Sequence, residues 1–213
     1  MSEITFYTHP MSRGQTVRWL LEEVGEPYET EILEYGSTMK AEPYLSINPM
    51  GKVPAIRHSG KVVTEVAAIC CYLADAFPQA GLAPPPSQRA DYYRWIFFTS
   101  GPVEAAFSNR ALGWDPPADK QATIGYGNYD LAINTLEKAL TGREYIASNR
   151  FTAADLFVGA YVNFMLQFKL IEPRPAFTDY AARMTDRDAF RRAHEIDGRL
   201  IAEIQAKQEK ADA

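Results

Sequence analysis

Two short stretches pair a helix start with groups suited to holding an anion. In His9-Pro10-Met11-Ser12-Arg13-Gly14-Gln15 a hydroxyl and a guanidinium open a segment where Val17, Leu20, Leu21 and Val24 recur with helical spacing before Gly25. The positive end of that helix falls where the Ser12 hydroxyl can donate, so an anion would be stabilised there. The same residues have a plain use: Ser12-x-x-Gln15 is a capping box in which the hydroxyl accepts from the Gln15 N–H and does no chemistry. Arg13 raises the local positive potential or is an ordinary exposed first-turn arginine. Just upstream, at the end of a strand segment, Phe6 and Tyr7 point to opposite faces, so one of them must face the core. His9, a lone loop histidine, reads as solvated.

The second stretch is Glu65-Val66, which opens another helix whose free N–H groups make a site for a carboxylate. A first-turn acid favoured by the helix dipole is the simpler account of Glu65 alone. Upstream, Val53-Pro54 begins a strand, a position that tolerates proline because no ladder hydrogen bond is lost. Cys70 and Cys71 are adjacent, which fits neither a disulfide framework nor a CxxC pattern, so they read as two small helix residues.

Strand segments at 4–9, 28–33, 53–58 and 61–65 supply the frame, the last two joined as a hairpin through Ser59-Gly60. Helices fill the gaps, and the one after the hairpin carries Ala68, Ile69, Tyr72 and Leu73 as its inward face and stops before Pro78. The proline-rich run FPQAGLAPPPSQ then sustains neither helix nor strand and reads as a linker. Beyond it the spacing predicts helices over about 87–112, 118–140 and 152–170, with Gly125 and Gly127 inside the second at a cost of about 1 kcal/mol each. Phe151-Thr152-Ala153-Ala154-Asp155-Leu156 has the form of a capped helix start with a hydrophobic staple. The expected organisation is residues 1–78, a linker over 79–88, and an all-helical part over 89–213.

Composition bounds the partners. The chain has 213 residues, 46% apolar and 23% charged, enough for a real core and far from disorder. Its 22 basic residues are scattered among 27 acidic ones for a net charge of −5, which argues against nucleic acid. No stretch approaches a membrane span and the N-terminus lacks a secretory signal, so a soluble cytoplasmic protein is the expectation.

NPMGKVPAI (48–56), the hairpin and TEVAAICCYLAD (64–75) resemble the glutathione-binding half of the cytosolic glutathione S-transferases, in their bacterial-type, serine-class-like form. The likeness covers the whole chain: FYTHPMSRGQTVRWLLEEVG is similar to that superfamily's first strand and helix, and FTAADLFVGA to the buried capping box of its helical domain.

The resemblance implies an α/β thioredoxin-like N-terminal domain plus an all-α C-terminal domain. It also implies a cis Val53-Pro54 bond whose turn frees the Val53 backbone to pair with the cysteinyl unit of glutathione. Glu65 would orient the γ-glutamyl end, Lys40 and Lys52 would meet the glycyl carboxylate, and Arg13, just after Ser12, would bind glutathione or raise the local positive potential. At position 66 the family usually supplies a Ser or Thr hydroxyl; here Val66 leaves one hydrogen bond unmade, about 0.5–1.5 kcal/mol. Ser12 or Tyr7 would activate the thiol.

The second substrate, a small apolar electrophile, is expected against the aromatic segment that holds Tyr92, Tyr93, Trp95, Phe97, Phe98, Phe107 and Trp114, with Phe107 and Trp114 preferred. A detoxifying transferase follows, homodimeric and needing no metal. Two alternatives use the same fold: a glutathione-dependent disulfide or peroxide reductase, and a non-catalytic interaction module.

Overall fold

The structure, a computed structural model, describes residues 3–211. It divides into two units, one holding the residues through Ala80 together with those from Arg187 onward, the other Gly81–Asp186.

The first unit is built on a four-stranded sheet in the order β2-β1-β3-β4, formed by β1 (Ile4–Thr8), β2 (Tyr28–Ile32), β3 (Ala55–His58) and β4 (Lys61–Thr64). β1 and β2 run parallel; β1/β3 and β3/β4 are antiparallel. The β3–β4 hairpin turns through Ser59 and Gly60, both at positive φ, as a two-residue turn matched to strand twist requires. All four strands lie where the sequence spacing puts them. α1 (Gly14–Val24) follows β1 and ends on Gly25, whose left-handed φ of 78° lets its N–H reach the Leu21 carbonyl. α2 (Tyr44–Ile47) is a single turn, and α3 (Val66–Ala76) follows the hairpin. The buried face of α3 is Ile69, Cys70, Leu73 and Ala74, so Cys70 takes the core place expected of Ala68, which is exposed.

Both faces of β1 are covered. Phe6 packs edge-on to Tyr28 under the Arg18 guanidinium, while Tyr7 joins Leu33, Met39, Tyr44 and Ala55 in a separate cluster. The expected choice between Phe6 and Tyr7 therefore does not arise, because both are buried.

The last helix, α9 (Asp188–Ala211), packs on α1 and belongs with the sheet, whereas the sequence reading placed 89–213 together. Its attachment is specific. The buried Arg18 donates to Asp197 at 2.7 Å, Arg187 makes a two-pronged pair with Glu23, and Phe190 meets Trp19 edge-on. None of these partners is local in sequence, so no periodicity reveals them.

The second unit contains α4 (Ala90–Phe98), α5 (Glu104–Ala111), α6 (Tyr129–Leu140), α7 (Ala153–Gln167) and α8 (Pro175–Thr185). A wide turn of π-helical geometry at Thr99–Val103 separates α4 from α5, because Pro102 has no N–H to continue the ladder of a single helix over 87–112. Gly125 and Gly127 do not lie inside a helix; they form the bend before α6, which Asn128 caps by accepting from Leu131 N–H. Glycine at 127 meets a conformational need, since its φ is +69°. α7 starts with the expected capping box. Asp155, fully buried, accepts from Thr152 N–H, the Thr152 hydroxyl, Ile146 N–H and the Tyr180 hydroxyl.

Candidate functional site

Strand register gathers the predicted residues at one end of the sheet. Glu31, Tyr7, Ala55 and Thr64 form one row across the four strands. The chain beyond that row leads to Thr8 and the Ser12 loop from β1, comes in through Val53-Pro54 to β3, and leaves β4 directly at Glu65. β2 exits at the same end through Leu33, whose N–H donates to the Thr8 carbonyl at 2.9 Å, and brings Glu34 and Tyr35 with it. Thus segments far apart in sequence share one end of the sheet, because β1, β2 and β4 leave it there and β3 enters it there.

At the α1 end, Ser12 is half-buried, and its hydroxyl does two things. It accepts from Gly14 N–H at 2.9 Å and donates to the His9 carbonyl at 2.6 Å. Capping therefore occurs, but on Gly14 and not on Gln15, whose amide side chain instead donates to the Pro10 carbonyl. Gly14 is required: an ideal Cβ there would lie 1.9 Å from Thr8 Oγ1. A hydroxyl has one proton and two lone pairs, so the lone pair that holds Gly14 leaves the proton transferable to another acceptor. The Gly14 N–H polarises that hydroxyl and makes it a better donor.

Tyr7 is differently placed. Its ring packs on Tyr44 at 5.7 Å, with the Arg57 guanidinium 5.9 Å from its centre, inside the cluster that the 38–47 segment covers. Burial pushes its phenol pKa up. His9 is 2% exposed instead of solvated; its Nδ1 accepts from Met11 N–H at 3.2 Å and its ring lies 4.6 Å from that of Tyr35. Tyr35 is a residue that the sequence reading missed. Its hydroxyl donates at 3.1 Å to the carbonyl of Met11, the residue directly before Ser12. The signal was faint: an aromatic side chain in a polar loop, separated in sequence from the helix start it meets.

The Val53-Pro54 bond is cis. The loop before it is braced from within, because Lys52's carbonyl accepts from the Tyr44 hydroxyl at 2.5 Å and from Asn48 Nδ2 at 2.8 Å. Lys40 contributes through its ammonium, which donates to the carbonyls of Met50 and Gly51 at 3.1 and 2.7 Å. Lys40 thus braces this loop directly, and the Lys52 side chain is exposed beside it. Burial lifts the Tyr44 phenol to about 12, in keeping with a structural donor.

Glu65 stands at the start of α3 with φ 67° and ψ 119°, a conformation that side chains seldom adopt, and its carboxylate is exposed. The Glu65 side chain makes no capping hydrogen bond to α3, so it does not occupy the first N–H groups at the positive end of this eleven-residue helix. The arrangement suits a ligand carboxylate. In the second unit, Phe107 is core: it is 4% exposed and packs against Tyr161 and Phe164, whereas Trp114 is 66% exposed.

The family profile described as "Glutathione S-transferase, N-terminal domain" matches residues 11–76, the span that carries Ser12, Val53-Pro54 and Glu65. Glutathione S-transferase GST-4.5 of Xanthomonas campestris is 30% identical over 140 residues, covering 62% of this chain and 68% of that relative. The chain belongs to the glutathione S-transferase family. Protein LigF of Sphingobium sp. is 51% identical over 178 residues, covering 64% of this chain and 66% of its own. Among solved structures, a glutathione transferase from Methylococcus capsulatus is 27% identical with a TM-score of 0.75, covering 92% of this chain and 98% of that one. The family membership makes the chain an enzyme, a glutathione transferase, with the thioredoxin-like sheet and helical part already described.

No helix among the described residues is long and apolar enough to cross a membrane. Among those residues no group of three His, Cys, Asp or Glu side chains is placed to hold a metal ion.

Proposed function

We propose that this transferase activates glutathione at the N-terminus of α1, with the Ser12 hydroxyl as donor to the sulfur, and joins that sulfur to a small apolar electrophile. The observation that carries this reading is the state of the two candidate hydroxyls: Ser12 is half-buried at a helix start, with its proton on a replaceable carbonyl, while Tyr7 is enclosed in a core cluster.

A free thiol of pKa about 8.5 is only a few per cent ionised at neutral pH, so the site must favour the anion. The thiol proton leaves to water. Ser12 then turns its proton from the His9 carbonyl to the sulfur while Gly14 N–H stays on its lone pair. Attack of the thiolate on an electrophilic carbon makes the C–S bond, and the displaced group leaves with the bonding pair.

The rest of the tripeptide has a place for each end. The Val53 backbone before the cis proline pairs with the cysteinyl unit, the α3 N–H groups and Val66 N–H take the γ-glutamyl carboxylate, and Glu65 takes its amine. Arg13 and Lys52 supply positive charge, and Lys40 holds the loop that presents Val53. Of the two aromatics expected for the electrophile, Trp114 alone is exposed, and Phe107 is core. We read the working form as a cytoplasmic homodimer that detoxifies such compounds.

The test is direct. Purified protein is mixed with glutathione and a panel comprising an aryl halide, an epoxide, a disulfide and a peroxide. Conjugation of the aryl halide or epoxide, strongly reduced in Ser12→Ala, supports the proposal. Turnover of the disulfide or peroxide alone would replace conjugation with reduction.

A further inference from the structure

Tyr7, the phenol that the resemblance offers as the rival of Ser12, is in the core, yet the structure brings a different phenol to the Ser12 loop. Tyr35 leaves β2 at the edge where β1 ends, and its ring is 57% exposed. Its hydroxyl is held by the Met11 carbonyl at 3.1 Å, a long bond at a wet surface, on the residue directly before Ser12. From beneath, the ring lies against the buried His9, whose Nδ1 in turn takes the Met11 N–H. The Glu34 N–H bond to the Thr38 hydroxyl at 2.8 Å and the Met39 N–H bond to the Glu34 carbonyl at 3.2 Å fix the loop that carries it. Tyr35 is therefore a rigidly presented phenol whose exposed ring packs on little else, next to the proposed donor.

We propose that Tyr35 is a catalytic residue of the thiol site, a second hydroxyl that donates to the glutathione thiolate beside Ser12. This rests on the reading of Ser12 given above. Both hydroxyl protons are parked on backbone carbonyls, Ser12 on His9 and Tyr35 on Met11, two residues apart in one loop. The phenol is held on the carbonyl of the residue directly before Ser12, and its ring packs on the same His9 whose carbonyl takes the Ser12 proton, so an acceptor seated against this loop meets both hydroxyls. Either proton reaches the sulfur by rotation about a single bond, with no movement of backbone. A thiolate is a better acceptor than a carbonyl, and two charge-assisted donors favour it more than one. A phenol in this place also limits the electrophile. Its exposed ring gives an aromatic substrate a flat surface beside the reacting sulfur.

The experiment measures the pKa of enzyme-bound glutathione from thiolate absorbance against pH, with glutathione affinity and kcat/KM, in the wild type, Tyr35→Phe, Ser12→Ala and Thr38→Val. Tyr35→Phe keeps the ring and removes only the hydroxyl. It should raise the bound-thiol pKa by about one unit and lower kcat/KM about tenfold near neutral pH, with recovery at alkaline pH and little change in affinity. Thr38→Val loosens the same loop without touching the thiol and should leave the bound-thiol pKa at the wild-type value.

If Ser12→Ala raises the pKa and Tyr35→Phe does not, Tyr35 is no donor and the Ser12 reading stands. If Tyr35→Phe raises it and Ser12→Ala does not, Tyr35 is confirmed and the Ser12 reading fails. Equal shifts in Tyr35→Phe and Thr38→Val would overturn the proposal in favour of simple loop support.

Discussion

Replacing Glu65 by glycine and by alanine separates what its backbone costs from what its side chain does. At φ 67° and ψ 119° a residue with a Cβ carries strain of about 1–3 kcal/mol. The Glu65 side chain is exposed, so neither substitution loses packing. Both remove an acid from the start of α3, a loss of about 0.3–1 kcal/mol that is common to the pair. Alanine keeps the Cβ and the strain. Glycine releases the strain and gives up about 0.5–1 kcal/mol through the greater freedom of its unfolded chain. The balance makes Glu65→Gly more stable than Glu65→Ala by about 1 kcal/mol, equivalent to roughly 2–4 °C in Tm for a chain of this length. At an unstrained exposed site the order is the reverse, which makes the sign itself diagnostic.

The assay is thermal unfolding of the wild type and both variants, with and without saturating glutathione. Both variants should lose most of the ligand-induced rise in Tm, because the carboxylate that orients the amine is gone. An alanine variant at least as stable as the glycine variant would refute the strain argument. A full ligand-induced rise in both would remove Glu65 from the site.

Gly14→Ala drives a Cβ into Thr8 Oγ1 and should destabilise by about 1–3 kcal/mol in denaturant unfolding. The double variant Gly14→Ala/Thr8→Ala should recover most of that loss; no recovery would place the clash elsewhere. Asp155→Ala strands the buried Ile146 N–H, Thr152 N–H and Tyr180 hydroxyl and should cost about 3–5 kcal/mol; a loss below 1 kcal/mol would mean that these donors find other partners. Val66→Ser supplies the hydroxyl that the family usually places there, and calorimetry should record glutathione binding several-fold tighter, matching about 1 kcal/mol. Unchanged or weaker binding would mean that the site is built around valine.

What the sequence discloses about this fold is what depends on neighbours in the chain. The Ser59-Gly60 turn, the Gly25 cap and the Thr152–Asp155 box each act over a few residues, and each stands where spacing puts it. The Pro102 turn was legible in principle, since proline inside a predicted helix breaks its ladder, but helical spacing on both sides masked it. The return of α9 to α1 was not legible, because Arg18–Asp197 and Trp19–Phe190 join distant segments. The site shows the same division. Ser12, Pro54 and Glu65 carry local signs of helix start and strand entry, whereas the burial of Tyr7 depends on the 38–47 segment folding over it. His9 and Tyr35 acquire their places only when β2 runs parallel beside β1.

The central claim, that the Ser12 hydroxyl stabilises the thiolate, is tested most directly by titrating glutathione on the wild type, Ser12→Ala and Tyr7→Phe. A hydrogen bond to a charged acceptor contributes about 1.5–3 kcal/mol, so its loss should raise the bound-thiol pKa by about 1–2 units. Lowered in the folded complex, the thiol pKa sets activity that is present above it and lost as pH falls through it. The Ser12→Ala rate profile should therefore shift to higher pH, while Tyr7→Phe, whose phenol is buried and neutral, keeps the wild-type curve. A Ser12→Ala enzyme that loses stability but holds the wild-type bound-thiol pKa would reduce Ser12 to a cap on Gly14, and a shift in Tyr7→Phe alone would transfer the role to the tyrosine.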